Sequence, residues 1–204
     1  MKQRIIFIGD SITWWGMSEN DMIGTGYVRL LHDYLKVTYP ERDLEIINKG
    51  ISGNRVTDLA ERWEKDVTSL TPDIVSISIG INDVWRQLDS PGIDQVFPQQ
   101  FEEVYEVLLS SIKQKTNASI VLMEPTIISE DIQSEGNMKL KPYIEIIHRL
   151  AGKYHAVLVP THQEFITFLK HKKDFPLTID GVHMNTTGNM LMAKTWKQAT
   201  KGLF

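Results

Sequence analysis

Cysteine is absent from the 204 residues, which excludes a disulfide framework and a thiolate metal site. Long apolar runs are also missing, and no stretch approaches the length of a membrane span. Lys and Arg form no cluster or stripe, and the net charge is −4, so nucleic acid is not the expected partner. Low-complexity segments, internal repeats and Pro/Gly-rich linkers are lacking, and one domain spanning residues 1–204 is expected. Met1-Lys2-Gln3-Arg4 enters the first apolar run directly, and that run is too short for the core of a secretory signal, so the expected location is cytoplasmic. The apolar share of 42% and charged share of 24% are those of an ordinary soluble globular chain.

The chain is organised around Ile5-Ile6-Phe7-Ile8-Gly9-Asp10-Ser11-Ile12-Thr13. Four apolar residues run into Gly-Asp-Ser, as a buried parallel strand runs into the loop at its C-terminal end. Ser11 there is either a nucleophile or a turn residue or helix N-cap. Further on, Tyr27–Tyr39 carries apolar residues at helical spacing, and Leu44–Asn48 is a second strand leading to Gly50-Ile51-Ser52-Gly53-Asn54. Val56, Leu59, Ala60, Trp63 and Val67 mark a helix, and Ile74–Ile79 is a third strand that ends in Gly80-Ile81-Asn82-Asp83. Beyond the surface loop Ser90–Pro98 come a helix through Phe101, Val104, Tyr105, Leu108 and Ile112, a strand at Ser119–Met123 and a loop at Ile127–Gly136. A helix at Leu140–Tyr154, a strand at Ala156–Val159, a short helix at Glu164–Leu169 and a final helix at Thr187–Thr200 complete the pattern. Five strands alternating with helices predict an α/β chain: a three-layer α/β/α sandwich around a five-stranded parallel sheet, in the flavodoxin-like order 2-1-3-4-5.

In that order Ser11, Gly53 and Asn82 face one crevice at the switch point, joined by Asp180 and His183 from the last loop. The residue types suit acyl transfer. Ser11 needs a base to become nucleophilic, His183 can serve as that base, and Asp180 can fix its tautomer. The Ser11 and Gly53 backbone N–H groups and the Asn82 side-chain amide can receive a developing oxyanion. Glycine at position 53 lets the backbone approach substrate without a Cβ in the way.

Gly9-Asp10-Ser11-Ile12, Gly50 to Asn54, Gly80-Ile81-Asn82-Asp83 and Asp180-Gly181-Val182-His183 resemble, in order, the four blocks of the SGNH (GDSL) hydrolases. The resemblance spans nearly the whole chain. It implies an esterase with Ser11 as nucleophile, His183 as base, Asp180 as its partner, and Ser11, Gly53 and Asn82 as oxyanion hole. Ile12 replaces the usual Leu, a volume-conserving change. Gly24-Thr25-Gly26-Tyr27-Val28, Asn48 to Asn54 and Gly80 to Gln87 are similar to intracellular bacterial acetylxylan esterases of this superfamily. That similarity implies deacetylation of xylo-oligosaccharides without metal or cofactor, and an assembly larger than a monomer. Trp14-Trp15 departs from the small or acidic residue expected after the nucleophile. A short-chain esterase or thioesterase acting on a lipid or metabolite ester is the rival within enzymes. A non-catalytic carbohydrate-binding domain is the rival outside them.

Around the four blocks, Trp14, Trp15 and Trp85 are read as loop residues that line a substrate cleft, with Arg86 a sugar-binding or ion-paired neighbour. Asp10 and Asp83 are expected to hydrogen-bond amides of their own loops. Glu124 is read as a rim residue or a solvated turn charge. Trp63 and Trp196 are expected in the core, and the remaining histidines (His32, His148, His155, His162 and His171) as surface or packing residues without metal-ligand spacing. Gly24-Thr25-Gly26 lacks the third glycine of a dinucleotide loop and follows no strand, so no phosphate cradle is expected.

Overall fold

The first apolar run forms β1 (Gln3–Gly9) in the computed structural model, which describes residues 2–172 and 174–204. Ile5 to Ile8 are wholly buried, as a strand covered on both faces requires. β1 is flanked in parallel by β2 (Leu44–Gly50) and β3 (Ile74–Ser78), and β4 (Ser119–Met123) and β5 (Val157–Val159) extend the sheet to the order β2-β1-β3-β4-β5. This is the three-layer sandwich and strand order expected from the sequence.

The helices are α1 (Ser11–Trp14), α2 (Tyr27–Thr38), α3 (Val56–Asp66), α4 (Ile81–Asp89), α5 (Pro98–Lys115), α6 (Glu135–Tyr154), α7 (Thr161–His171) and α8 (Thr186–Ala199). α2, α8 and α7 pack in series, as do α3, α5 and α6, and these two groups form the outer layers. Trp196 of α8 is buried against Phe7, with ring centroids 5.3 Å apart, and its indole N–H donates to Ser76 Oγ at 2.9 Å. That bond satisfies a serine in the middle of a buried strand and ties the outer layer to the sheet.

Three elements differ in kind or start from the sequence expectation. The loop expected after β1 opens as helix α1 at Ser11. α4 follows β3 at once, whereas Gly80 to Asp83 was expected to be a loop. Its spacing of Ile81, Val84, Trp85 and Leu88 is helical, but Gly80, at φ +119°, precedes it and masks the start. α6 begins at Glu135, inside the expected loop, because Ser134 caps it by accepting from Asn137 N at 3.2 Å.

At the C-terminal edge the strands end in backbone held unusually close. A Cβ on Gly50 would lie 2.1 Å from Trp14 N and 2.6 Å from Trp14 Cα, so β2 seats α1 through a position with no side chain. Gly50→Ala is therefore expected to push α1 off β2 and destabilise the protein by roughly 1–3 kcal/mol or more. A thermal melt checks this, and an unchanged Tm would show that α1 shifts freely.

Candidate active site

The β1 C-terminus delivers Ser11 as the first residue of α1. Asp10 caps that short helix, its Oδ1 accepting from Ile12 N at 2.9 Å, as expected for a carboxylate bonding within its own loop. Asp10 is almost wholly buried, and burial pushes its pKa up to about 7 against the pull of that hydrogen bond. Asn48 of β2 braces the same segment: its amide donates to Thr13 O at 2.7 Å and Ile23 O at 2.9 Å.

The opposing groups come from the loop between α7 and α8. Ile179 N donates to His183 O at 2.8 Å, closing Asp180-Gly181-Val182 into a tight turn with Gly181 at φ +90°. Asp180 Oδ1 accepts from Val182 N and His183 N, which aims its Oδ2 at His183 Nδ1, 2.6 Å away. On the other side of the ring, His183 Nε2 lies 2.9 Å from Ser11 Oγ. Burial raises the Asp180 pKa, but the hydrogen bonds from the His183 ring, His183 N and Val182 N outweigh it and hold the carboxyl below its usual range. An ionised Asp180 accepting from Nδ1–H leaves Nε2 free to take the serine proton.

Gly53 lies in the turn after β2 and Asn82 in the first turn of α4. The Asn82 amide donates one hydrogen to Asn54 O at 3.1 Å and keeps a second for another acceptor. A Cβ on Gly53 would meet no protein atom within 4 Å, and φ there is +80°. The left-handed backbone by itself costs a non-glycine residue roughly 1–2 kcal/mol.

Asp83 departs from expectation. Its Oδ1 reaches out of its own helix to accept from Val56 N at 3.1 Å, so Asn82 and Asp83 grip the 54–56 segment at two points. Glu124 is not a solvated charge either. It is buried, one oxygen accepting from Gln163 N at 3.0 Å and the other paired with His148. Two positions the sequence reading passed over also hold the site. Arg62 donates to Gly9 O, Lys49 O and Asn54 Oδ1, gathering the ends of β1 and β2. Glu130 Oε1 accepts from Leu177 N and Thr178 N, anchoring the turn that carries Asp180. Neither belongs to a motif; the only signal was a charged residue on a helix or loop next to a block.

The tryptophans are not loop residues alike. Trp14 ends α1 and is the most exposed of the three; Trp85 is on α4, half-buried, its ring edge-on to His183 at 5.7 Å. Trp15 follows α1 and stacks on His183 at 5.3 Å. Arg86 lies with its guanidinium 4.5 Å over the Trp85 ring and pairs with Asp89 at 2.8 Å. Trp63 and Trp196 are buried as expected. Among the described residues no cluster of metal-ligating side chains occurs, and no helix is long and apolar enough to cross a membrane.

The profile of the GDSL-like Lipase/Acylhydrolase family matches residues 7–191, spanning every element of this site. The chain belongs to that family. An acetylxylan esterase of Geobacillus stearothermophilus is 36% identical over 203 residues, covering 95% of this chain and 92% of the relative. Among solved structures, LAE5, an alpha/beta hydrolase enzyme from the metagenome of Lake Arreo, superposes with a TM-score of 0.91 at 33% identity, covering 99% of this chain and 96% of that one. Axe2, an acetylxylan esterase from Geobacillus stearothermophilus, does so at 0.88 and 35% identity, covering 97% and 93%. Catalytic mutants of Axe2 have been solved with a serine, an aspartate and a histidine each changed to alanine. As a member of the GDSL-like family with an acetylxylan esterase as homologue, the protein is a carboxylic ester hydrolase.

Asp83 generates a test. Burial pushes its pKa up to about 7, with the Asp10 charge adding to the rise, and its Oδ2 has no partner among the described residues. The folded chain then keeps a proton that the unfolded chain loses at about pH 4, so stability from this group is full below that pH and is lost as pH rises toward neutrality. Asp83→Asn cannot titrate, and its Tm relative to wild type is expected to improve between pH 5 and pH 8. A difference independent of pH would show that Asp83 does not titrate there.

Proposed function

We propose that the protein is a serine esterase that removes acetyl groups from carbohydrate, with acetylated xylo-oligosaccharides as substrate. The observation that carries the mechanism is the unbroken hydrogen-bonded line from Ser11 Oγ through His183 to Asp180. Likeness to an acetylxylan esterase over nearly the whole chain supports the choice of substrate.

Ser11 Oγ attacks the ester carbonyl carbon while its proton passes to His183 Nε2. Asp180 stabilises the imidazolium and keeps it in line. The carbonyl oxygen, now negative, is received by Ser11 N, Gly53 N and the second hydrogen of the Asn82 amide. Ser11 N is the first backbone donor of α1 and has no carbonyl within the helix to serve. Collapse of the tetrahedral intermediate breaks the ester C–O bond, and the departing sugar hydroxyl takes the proton from Nε2. Water then attacks the acetyl-serine by the same proton route and releases acetate.

Trp85 and the more exposed Trp14 offer flat faces beside Ser11 on which a xylose unit can rest, with its acetyl group directed at the nucleophile. A panel of acetylated xylo-oligosaccharides, acetylated glucosamine and nitrophenyl esters of rising chain length tests the substrate. Acetyl esters are expected to react faster than butyryl or longer ones, and Trp85→Ala to lose more activity on acetylated xylo-oligosaccharide than on nitrophenyl acetate. Equal losses or a preference for long acyl chains would remove the carbohydrate reading.

The chemistry has its own tests. Ser11→Ala is expected to fold and to hydrolyse no ester. Asn82→Ala is expected to lower kcat by roughly 10²–10³-fold with a smaller change in KM, because the donor acts on charge formed in the transition state. A pure KM effect would show instead that Asn82 binds the ground state.

A further inference from the structure

Trp15 stands against the face of His183. The two ring centroids are 5.3 Å apart and the planes 27° from parallel, whereas Trp85 meets the same imidazole edge-on at 71°. The segment around Trp15 is built to hold it there. Its carbonyl accepts from Thr25 N at 2.8 Å, and Gly24, at φ +80°, lies so close that a Cβ would be 2.4 Å from that oxygen. Gly26 leaves 3.0 Å between its own would-be Cβ and Trp15 Cβ, so the residue before α2 sits hard against the root of the Trp15 side chain. A side chain clamped this firmly onto an imidazole is poorly placed to act as a free sugar platform on that face.

An indole face attracts a cation, and among aromatic rings it does so most strongly. The imidazole becomes cationic when it takes the Ser11 proton, so the stacking contact strengthens as that proton is transferred. The titratable and charged groups around the ring are Asp180 on Nδ1, the Ser11 hydroxyl on Nε2, and Arg86, whose guanidinium lies over the Trp85 ring. Asp180 holds the imidazolium in the ring plane, and Trp15 is placed to hold it from above.

We propose that Trp15 is a positioning residue for His183: its indole keeps the imidazole in line between Ser11 and Asp180 and favours the imidazolium formed during acyl transfer. This rests on the reading of His183 as the base. It also gives a physical role to a residue at which the sequence departs from the small or acidic side chain expected after the nucleophile.

The test compares Trp15→Phe, which keeps a weaker aromatic face, with Trp15→Leu, which keeps apolar cover only. kcat/KM for nitrophenyl acetate, a substrate without sugar contacts, is measured against pH. The His183 ring is titrated in parallel by proton NMR, its signal assigned by its loss in His183→Gln. Relative to wild type, the acid limb and the NMR midpoint are expected to move to lower pH, by about half a pH unit or more in Trp15→Leu and by less in Trp15→Phe. Above the limb, kcat should fall in the same order, by about 2- to 20-fold in the Leu variant, with KM little changed. Midpoints that stay put while only Tm falls would reduce Trp15 to packing. Midpoints that rise would show that it merely shields the ring from water, and a loss confined to KM on acetylated xylo-oligosaccharide would make it a sugar platform; either result overturns the proposal. The titration is readable whatever ester the enzyme prefers. Failure of the wild type to hydrolyse acetylated xylo-oligosaccharide would therefore remove the substrate reading and leave this one to be decided by the midpoints.

Discussion

The site depends on how nearly the backbones at the ends of β1, β2 and β3 touch. A Cβ on Gly9 would lie 2.3 Å from Ser78 O, and one on Gly50 would fall on the backbone of Trp14. With no side chains between them, three strand ends converge on one crevice, and the loops they feed bring Ser11, Gly53 and Asn82 together. Arg62 reinforces the convergence by donating to carbonyls of both Gly9 and Lys49. Closeness of main chain would fix in advance the donors proposed for the oxyanion, and donors that need not reorganise are worth most to a developing charge.

Three carboxylates near this crevice stand in two electrical states. Asp180 sits partly in solvent, accepts from two amides and a ring nitrogen, and is held ionised. Asp10 and Asp83 are buried, with too few donors to offset the loss of water, and burial raises both. A charge is kept only where it faces the imidazole. The two buried acids act as hydrogen-bond acceptors that shape loops, Asp10 for α1 and Asp83 for the start of α3. Placing more negative charge beneath Ser11 would oppose the formation of an oxyanion above it, so their suppressed ionisation is compatible with the chemistry proposed there.

Much of this was legible in the sequence. Alternation of β-branched runs with helical spacing determines the layers; Gly-Asp-Ser and Gly-Ile-Asn-Asp lead from strands into helices, and Asp-Gly-Val-His forms a tight turn. The less legible parts are contacts between segments distant in sequence. Asp83 looks like a local loop carboxylate until α3 is seen to bring Val56 N to it. Glu124 reads as a solvated charge unless His148 and the α7 N-terminus are known to cover it. Glu130, Arg62 and the stacking of Trp15 on His183 were hidden for the same reason: the site contacts they make reach 8 to 168 positions away, and no pattern in their own neighbourhoods names them. α4 was masked differently, by a glycine whose left-handed turn leads straight into the helix.

Ser11 and His183 are separated by 172 residues, and their hydrogen bond closes most of the length of the chain. Bringing two such points together from a disordered chain costs about 4–5 kcal/mol of loop-closure entropy. That cost is offset only once the strands between them have paired and the turn at Asp180 is anchored to the loop between β4 and α6 through Ser129 N–Gly181 O and Glu130. During synthesis the serine thus emerges early, as an ordinary alcohol, while the imidazole proposed to activate it is still to be made. On that proposed chemistry, reactivity switches on together with tertiary structure, so a partly folded chain is not a promiscuous hydrolase.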